Sequence, residues 1–201
     1  MFGACVFSFF SFVPYYAVVQ FGLSPVESGA VLTPRSVVMS VTATLTSLFL
    51  IRLGYRLPMA LGIGIIGLAL FLVGQGWGEL VLAGVRLGAF GLLALEMALA
   101  GLGMGLAAPA SNNAVLDLMP ERAGAITGLR GMFRSTGGIL GTALVVLVLE
   151  LVPDRAAGMR AVFMGAAGAL VGLVLPLVFA IPDTARDRHR AQRLGSAAPR
   201  D

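Results

Sequence analysis

The chain has 201 residues, of which 58% are hydrophobic and only 12% charged, and its formal net charge at pH 7 is +4. Its mean hydropathy is +0.93. Its charged fraction is about half that of a typical soluble domain. These values exclude a soluble enzyme, a disordered polypeptide and a disulfide-rich scaffold. They indicate an integral membrane protein that lies in a lipid bilayer.

Spanning about 30 Å of hydrocarbon takes about 20 helical residues. The apolar runs are too long for strands and lack the alternation of a membrane barrel, so helices must satisfy the backbone. The predicted fold class is therefore all-α integral membrane, with residues 1–181 as a transmembrane unit and 182–201 as a disordered, cytoplasmic polar tail. Six runs are predicted to span: residues 2–20, 29–51, 58–76, 86–110, 131–152 and 159–181.

The first run begins at Met1 with no polar leader. A signal peptide would have a positive amino-terminal region and a small-residue cleavage site, and this run has neither. We expect a spanning helix whose front is missing. The connection at residues 77–85 is apolar and poorly defined, whereas 117–127 is polar.

The basic residues are fourteen arginines and no lysine. If the first helix runs outward, ten arginines fall on the cytoplasmic side and three on the other, which predicts a plasma-membrane protein with both termini cytoplasmic. The cytoplasmic set is Arg52, Arg56, Arg122, Arg130, Arg134, Arg186, Arg188, Arg190, Arg193 and Arg200; the opposite set is Arg86, Arg155 and Arg160.

The arginines lie singly between apolar runs or together in the final residues, so they form no hydrophilic basic face and we expect no nucleic-acid partner. His189, the only histidine, lies in the tail, and Cys5, the only cysteine, has no partner. We therefore predict no metal site, no cofactor and no enzyme. An intramembrane enzyme would need a nucleophile with its base, paired carboxylates or metal ligands at matching depths.

Glu96 is the clearest candidate for chemistry within a span. It lies ten residues after Arg86 and fourteen before Ala110, close to the middle of the fourth run. A charge at that depth costs about 2.5–3.5 kcal/mol on insertion scales, and such groups usually face a bundle interior or cavity. Glu96 could relay a proton or face a cationic substrate. The alternative is a neutral acid that joins two helices by a hydrogen bond.

The second run carries a polar stripe, and beside it Arg35 lies about 9 Å inside the run. Arg35 could line a cavity or extend outward to the interface. The stripe could form helix–helix hydrogen bonds or line a translocation path. It comprises Thr33, Ser36, Ser40, Thr44 and Ser47, and Arg35, Thr42 and Thr46 form an adjoining line.

Glycines recur at spacings that let helix backbones touch. The series Gly101, Gly103 and Gly105 predicts close packing or a hinge, and the pair Gly168 and Gly172 predicts another packed face. After Pro109, Asn112 and Asn113 could cap a broken helix end or meet a substrate. Arg130 and Arg134, four apart, could hold an acidic group of a neighbouring helix or extend into lipid headgroups.

Several motifs resemble those of one family. The segments QFGLSP at 20–25 and SGAVLTPR at 28–35 are similar to a junction of major facilitator superfamily exporters, in the C-terminal half of the fourteen-helix drug:proton antiporters. RLGYR at 52–56 is similar to a degenerate cytoplasmic loop of that half and lacks an acidic residue found in the stronger version. GLGMG at 101–105 begins the next match, which continues through Pro109, Asn113, Gly124, Gly128, Arg134, Gly137, Gly138 and Gly141.

The resemblance implies one six-helix half of a transporter, built from two three-helix inverted repeats. The family exports amphipathic or cationic small molecules in exchange for protons by rocking two halves around a cavity, so a missing N-terminal half or a homodimer partner is expected. Glu96 has no counterpart in these motifs. A non-transporting module or an inactive remnant is the alternative. Pathway candidates are Glu96, Arg35, Gln20, Ser36, Ser40 and Asn113; gating or packing candidates are Arg134, Gly101, Gly105, Pro109, Gly137, Gly138 and Gly141.

Overall fold

The computed structural model describes residues 8–82, 85–118 and 120–180, and these are mainly helical. A short helical stretch at residues 8–11 precedes the named elements, and a single 3₁₀ turn, Pro120–Arg122, precedes α6. In chain order the elements are α1 (Val13–Phe21), α2 (Pro25–Ala30), α3 (Thr33–Leu53), α4 (Arg56–Gln75), β1 (Glu79–Leu82), β2 (Val85–Gly88), α5 (Ala89–Leu118), α6 (Ala123–Leu151), α7 (Arg155–Ala169), a π-helical turn (Leu170–Val174) and α8 (Leu175–Ala180).

Four helical segments within the described residues are long and apolar enough to cross a membrane: Arg56–Gln75, Ala89–Leu116, Ala123–Leu151 and Arg155–Phe179. They correspond to the third to sixth predicted runs. The run at 2–20 begins outside the described residues, and α3 has the length of a span but carries the polar stripe. The arrangement of six helices in two repeats therefore remains a prediction. The polar tail, 182–201, also lies outside the described residues.

The predicted bounds were wrong around α5 and α6. Strands β1 and β2 pair antiparallel, with Glu79 opposite Gly88, so the described residues are not wholly helical and Arg86 belongs to a strand rather than to a span. Helix α5 continues through Pro109 to Leu118, and α6 begins at Ala123 instead of residue 131. The polar connection is much shorter than predicted.

The segment QFGLSP and the glutamate that follows it make a tight link between two helices. Gly22 ends α1 with φ 65°, a left-handed conformation that glycine adopts without strain. Ser24 then caps α2: its hydroxyl accepts from the Glu27 amide at 3.3 Å, and the Glu27 carboxylate accepts from the Ser24 amide at 2.9 Å. Pro25 occupies the first helical position, where its missing N–H costs nothing. The motif therefore encodes a chain turn.

This capping box predicts a pH-dependent contribution to stability. Hydrogen bonds from Ser24 lower the pKa of Glu27. A carboxyl whose folded pKa is lowered stabilises the fold above its unfolded pKa, and this contribution disappears as pH falls through the folded value. The chain should melt slightly above the Glu27→Gln variant at neutral pH, and that difference should shrink in acid. Thermal unfolding of both in detergent measures it, with exposed Glu121→Gln as the control; a difference that is constant with pH contradicts the prediction.

Helix α5 lies between α3 and α4. Its alternating glycines allow it to approach both helices closely. A Cβ on Gly105 would lie 2.6 Å from the Thr42 Cβ of α3, and one on Gly101 would overlap the Arg35 backbone of the same helix. A Cβ on Gly103 would instead lie 2.7 Å from the Gly62 carbonyl oxygen of α4. Positions two apart on a helix point to nearly opposite sides. The series therefore lets α5 touch two helix backbones at once.

Helix α4 packs in turn against α7, again through glycines. A Cβ on Gly74 would lie 2.7 Å from the Met164 Cγ, and one on Gly67 would lie 2.6 Å from a Val171 methyl. A Cβ on Gly168 or Gly172 meets no described atom within 4 Å, so the packed face predicted for this pair is not formed against the described residues and stays a prediction. The buried face of α7 carries larger side chains instead: Met159, Val162, Phe163, Ala166 and Ala167.

Helix α6 is the least covered of the four candidate spans. Only 11% of its apolar window is buried, against 56% for α4 and 50% for α5. Its contact with the start of the chain is local: the Ser8 hydroxyl donates to the Gly138 carbonyl at 2.8 Å, and a Cβ on Gly141 would lie 2.9 Å from the Ser8 Cβ. Most of this helix is therefore available to lipid or to further protein. Its large exposed apolar side chains include Leu129, Met132, Phe133, Ile139, Leu140, Leu144 and Leu147.

Candidate functional site

A buried polar cluster lies at the end of the bundle where α1 and α4 finish and α5 and α7 begin. We call this the hairpin end, because β1 and β2 connect α4 to α5 there. Tyr16 and Gln20 of α1 and Arg160 of α7 meet around Gly76. The fourth member of the cluster, Glu96, is buried about two turns into α5 from the same end of the bundle.

Glu96 is only 4% exposed. It lies seven residues after Ala89, about 10 Å along a 30-residue helix. Glu96 is therefore nearer the start of α5 than its middle, because α5 starts after the hairpin and continues two turns beyond residue 110. Its depth in the bilayer stays a prediction. A carboxyl group buried this deeply among apolar side chains is costly to ionise unless another group stabilises the charge.

Tyr16 is the aromatic member of this cluster, and its side chain is fully buried. The ring makes edge-to-face contacts with Phe21, at a centroid distance of 5.7 Å, and with Phe163, at 5.3 Å. These two contacts fix the ring. Its hydroxyl has no hydrogen-bond partner among the described residues.

Arg160 and Gln20 complete the cluster beside Gly76. A Cβ on Gly76 would lie 2.9 Å from the Arg160 Cδ, 2.9 Å from the Tyr16 hydroxyl and 3.5 Å from the Gln20 Nε2. Gly76 has φ 68°, so glycine suits both the space and the backbone. The buried Arg160 Nε, like the Tyr16 hydroxyl, has no hydrogen-bond partner among the described residues. Each unsatisfied buried group costs about 1–3 kcal/mol.

Sequence reasoning chose Glu96 and Gln20 but missed Tyr16 and Arg160. Because Arg160 lies near the start of an apolar run, the sequence assigns it only to the non-cytoplasmic membrane surface. The signal that could have found it is its distance into α7, which begins at Arg155. Five residues of helix carry Arg160 inward, whereas Arg155 stays exposed.

The polar stripe of α3 is exposed along its whole length. The hydroxyls of Ser36, Ser40, Thr44 and Ser47 donate to carbonyls four residues earlier in the chain, for example Ser40 to Ser36 at 3.0 Å and Thr44 to Ser40 at 3.0 Å. Within the described residues, these side chains therefore form hydrogen bonds inside their own helix and not between helices. The adjoining line faces α5, since Thr46 is buried and Thr42 meets Gly105.

Arg35 lies at the start of α3, two residues after Thr33, rather than 9 Å inside a helix as predicted. Its guanidinium carbon lies 5.7 Å from the centroid of the buried Phe10 ring, a cation–π distance. Its backbone is the surface against which Gly101 packs. Arg35 therefore joins α3 to both α5 and the beginning of the chain.

The end of α5 carries polar residues without breaking the helix. Because α5 is continuous to Leu118, Asn112 and Asn113 do not cap a broken end, and that expectation was wrong. Asn112 is exposed and Asn113 half-buried. A proline is tolerated inside a membrane helix where neighbouring groups satisfy the backbone. Pro109 is such a case.

The Arg130 Nη1 donates to the Ser111 carbonyl of α5 at 2.8 Å. Arg134 is exposed one turn further along α6, and Gly137 is half-buried near Ser8's contact with Gly138. The structure thus brings the predicted gating residues of α6 together on one helix.

The RLGYR segment ends one helix and forms a contact with another. Gly54 ends α3 with φ 73°, and the Arg56 Nη2 donates to the Phe179 carbonyl of α8 at 3.0 Å. A cation near a helix C-terminus is stabilised by the helix dipole. This contact joins the start of α4 to the last described helix.

Long apolar helices packed through glycines, with polar groups buried inside and a hydroxyl stripe outside, define a multi-pass membrane protein. The Major Facilitator Superfamily matches residues 1–200, and the chain belongs to that family. The family is one of transporters rather than of enzymes, and the long apolar helices indicate a multi-pass protein of a lipid bilayer.

Curated relatives agree with this family. The chain is 32% identical over 144 residues to the uncharacterized transporter YebQ of Escherichia coli (strain K12), covering 71% of this chain and 30% of that protein. It is 31% identical over 152 residues to the multidrug transporter protein MdtP of Bacillus subtilis (strain 168), covering 75% and 26%. It is 29% identical over 150 residues to the tetracenomycin C resistance and export protein of Streptomyces glaucescens, covering 72% and 26%. The matched region spans less than a third of each relative.

Proposed function

We propose that this chain is the C-terminal part of a proton-coupled exporter of amphipathic or cationic small molecules that works by alternating access. Two of the relatives are named for multidrug transport and for export of tetracenomycin C, and each is more than three times as long as its matched region. The exporter lies in the plasma membrane with both termini of this chain cytoplasmic. This chain contributes six helices in two inverted three-helix repeats.

The exposed hydroxyl stripe of α3 is the observation that carries this proposal. Although its hydroxyls are bonded within the helix, a row of five polar side chains gains nothing from facing lipid. The same row facing a central cavity would contact water and substrate. Ser36 and Ser40 follow Arg35 along α3, and Asn113 lies on α5, the helix that packs against α3. We assign the stripe, Arg35 and Asn113 to the substrate path.

The same exposed surfaces imply a partner that covers them. A second half or a second copy of the chain would cover the stripe and the exposed face of α6. Rocking of that partner would be accommodated where backbones touch at Gly101 and Gly105, at Pro109, and on α6 from Arg134 to Gly141. The buried cluster with Glu96 and Gln20 would carry the proton.

We expect the chain expressed alone to give no export of a dye such as ethidium, because half a cavity cannot alternate its access. A chimera of MdtP, in which this chain replaces the matched segment, would supply the missing half of the transporter. Cells carrying that chimera should accumulate several-fold less ethidium than cells carrying the chain alone, and a protonophore should remove the difference. Fluorescence of loaded cells measures both.

Surface expression of each protein, measured by an epitope tag, is the control. Robust proton-driven efflux by a monomer of this chain would contradict the need for a partner. A well-expressed chimera without export would favour the alternative, a non-transporting module or inactive remnant.

A further inference from the structure

The last candidate span is not one continuous α-helix. Between α7 and α8 lies the π-helical turn Leu170–Val174, and the Leu175 amide after it donates to the Leu170 carbonyl five residues earlier. One residue further on, Pro176 has no amide hydrogen to donate, and its ring prevents an α-helical approach to the carbonyl four residues before it. Helices bend where the regular pattern of hydrogen bonds is interrupted in this way. The span therefore has a joint at this turn.

The two parts of the span pack on different hydrophobic clusters. Helix α7 and the first residue of the turn lie in the main cluster of the bundle. Helix α8 contributes Val178 to a second, smaller cluster, and we call the four other buried members of that cluster the seat of α8. Val174, the last residue of the turn, is half-buried and packs against both clusters, so the joint lies at the boundary between them. The seat comprises Leu50 of α3, Met59 and Ile63 of α4, and Ala110 of α5.

The turn is fixed to α4, whereas α8 is held by few contacts. Leu170 is 2% exposed, and a methyl group of Val171 lies 2.6 Å from the position that a Gly67 Cβ would occupy. Beyond the turn, Val178 is the one buried side chain among residues 175–179. Segments with few buried contacts open locally at lower cost than the rest of a structure.

Arg56 supplies a specific hold on α8. Its Nη2 donates to the Phe179 carbonyl at 3.0 Å, and we call this hydrogen bond the latch. The last four carbonyls of an α-helix have no partner within the helix, so the guanidinium supplies a donor that α8 itself cannot. Arg56 is the first residue of α4. The latch therefore ties the RLGYR segment to the far end of the last span.

We propose that α8 is a hinged strap, which swings about the turn at 170–174 and closes on its seat when the latch forms. With the latch formed, the seat is covered and the start of α4 is tied to the last span. With the latch broken, α8 leaves the seat while Leu170 and Val171 hold the turn against α4, so α7 and the main cluster are unchanged. This end of the bundle can then rearrange while the hairpin end keeps its packing. The use of this motion in alternating access rests on the proposed function.

Hydrogen–deuterium exchange of the purified full chain in lipid nanodiscs, measured by mass spectrometry, tests the latch. Exchange reports the local opening of each segment. Arg56→Leu removes the donor, and we expect the amides of residues 175–180 to exchange about fivefold faster while those of 159–166 in α7 are unchanged. Arg155→Leu removes an exposed arginine from the first turn of α7 and should alter neither segment. No increase over 175–180 in Arg56→Leu, or an equal increase over 159–166, would overturn the proposal.

A second substitution tests the hinge in the opposite direction. Pro176→Ala restores an amide hydrogen that can donate to the Gly172 carbonyl, which makes a continuous α-helix possible. We expect the other amides of residues 170–180 to exchange about threefold more slowly, because a continuous helix opens less readily at this point. Pro25→Ala, at the first position of α2, should leave the same amides unchanged. Equal or faster exchange over 170–180 in Pro176→Ala means that the turn is no hinge.

Neither measurement depends on export. If the MdtP chimera described above fails to export while both exchange results are obtained, the strap stands and its use in transport fails. If the chimera exports while α7 and α8 respond to Arg56→Leu as one unit, the strap is overturned and the proposed function stands.

Discussion

Replacing Gly62 with alanine should destabilise the bundle, although alanine is the better helix former. The new Cβ would lie 2.5 Å from the Gly103 carbonyl oxygen and 2.7 Å from the Ala107 amide nitrogen, both backbone atoms of α5. Backbone in the centre of the bundle cannot yield as a flexible side chain would, and such overpacking typically costs about 1–3 kcal/mol. We expect the free energy of unfolding to fall by about that amount, measured by denaturant titration of the purified chain in detergent.

Gly64 provides the control on the same helix, two residues away. A Cβ on Gly64 meets no described atom within 4 Å. Gly64→Ala should therefore keep or raise stability, by up to about 1 kcal/mol from helix propensity alone. The difference between the two variants isolates the contact with α5 from the propensity of alanine. Equal stabilities for the two variants would mean that α4 and α5 do not touch at Gly62.

The glycine series of α5 shows how much of this fold is readable from sequence. Positions two and four apart predict close packing, and the structure places Gly101 and Gly105 against α3 and Gly103 against α4. For Gly168 and Gly172 the described residues supply no neighbour within 4 Å, because glycine spacing shows where a backbone can be approached but not which element approaches it. The buried face of α7 lies elsewhere on that helix.

Helix ends were predicted poorly for a related reason. Apolar runs were ended at polar residues, yet polar residues inside a helix are tolerated where a neighbouring element satisfies them. Arg130 lies inside α6 because the Ser111 carbonyl accepts its hydrogen bond. Asn113 lies inside α5 because the helix continues without a break through Pro109. Such pairings join distant parts of the chain, so a linear reading places loops where helices continue.

The buried cluster was only half predictable. An acid in an apolar run is conspicuous, so Glu96 was found. Tyr16 lay within an aromatic, apolar run, and Arg160 lay near a predicted membrane surface, so neither stood out. Their meeting at Gly76 depends on how α1, α4 and α7 pack at the hairpin end. Packing of three separate elements is not encoded in any local pattern.

Replacing Glu96 with glutamine in the active chimera should uncouple export from the proton gradient. Glutamine has nearly the same volume, so the packing around this buried position should be kept, but an amide cannot bind and release a proton in exchange. We expect export driven by an imposed pH gradient to fall about tenfold or more, since removal of a proton carrier stops the coupled cycle. Inverted vesicles loaded with a pH-sensitive dye measure proton movement, and ethidium fluorescence measures export in the same sample.

Glu150→Gln is the matched control for this substitution, because Glu150 is an exposed glutamate on α6 and no part of the cluster. It should leave both signals unchanged. Binding of ethidium by the Glu96→Gln chimera should also persist, because Glu96 lies in the buried cluster and not on the stripe assigned to substrate. If efflux and its dependence on pH are the same with glutamate and glutamine at position 96, then Glu96 is a structural acid between helices, and the proton is carried elsewhere in the assembly.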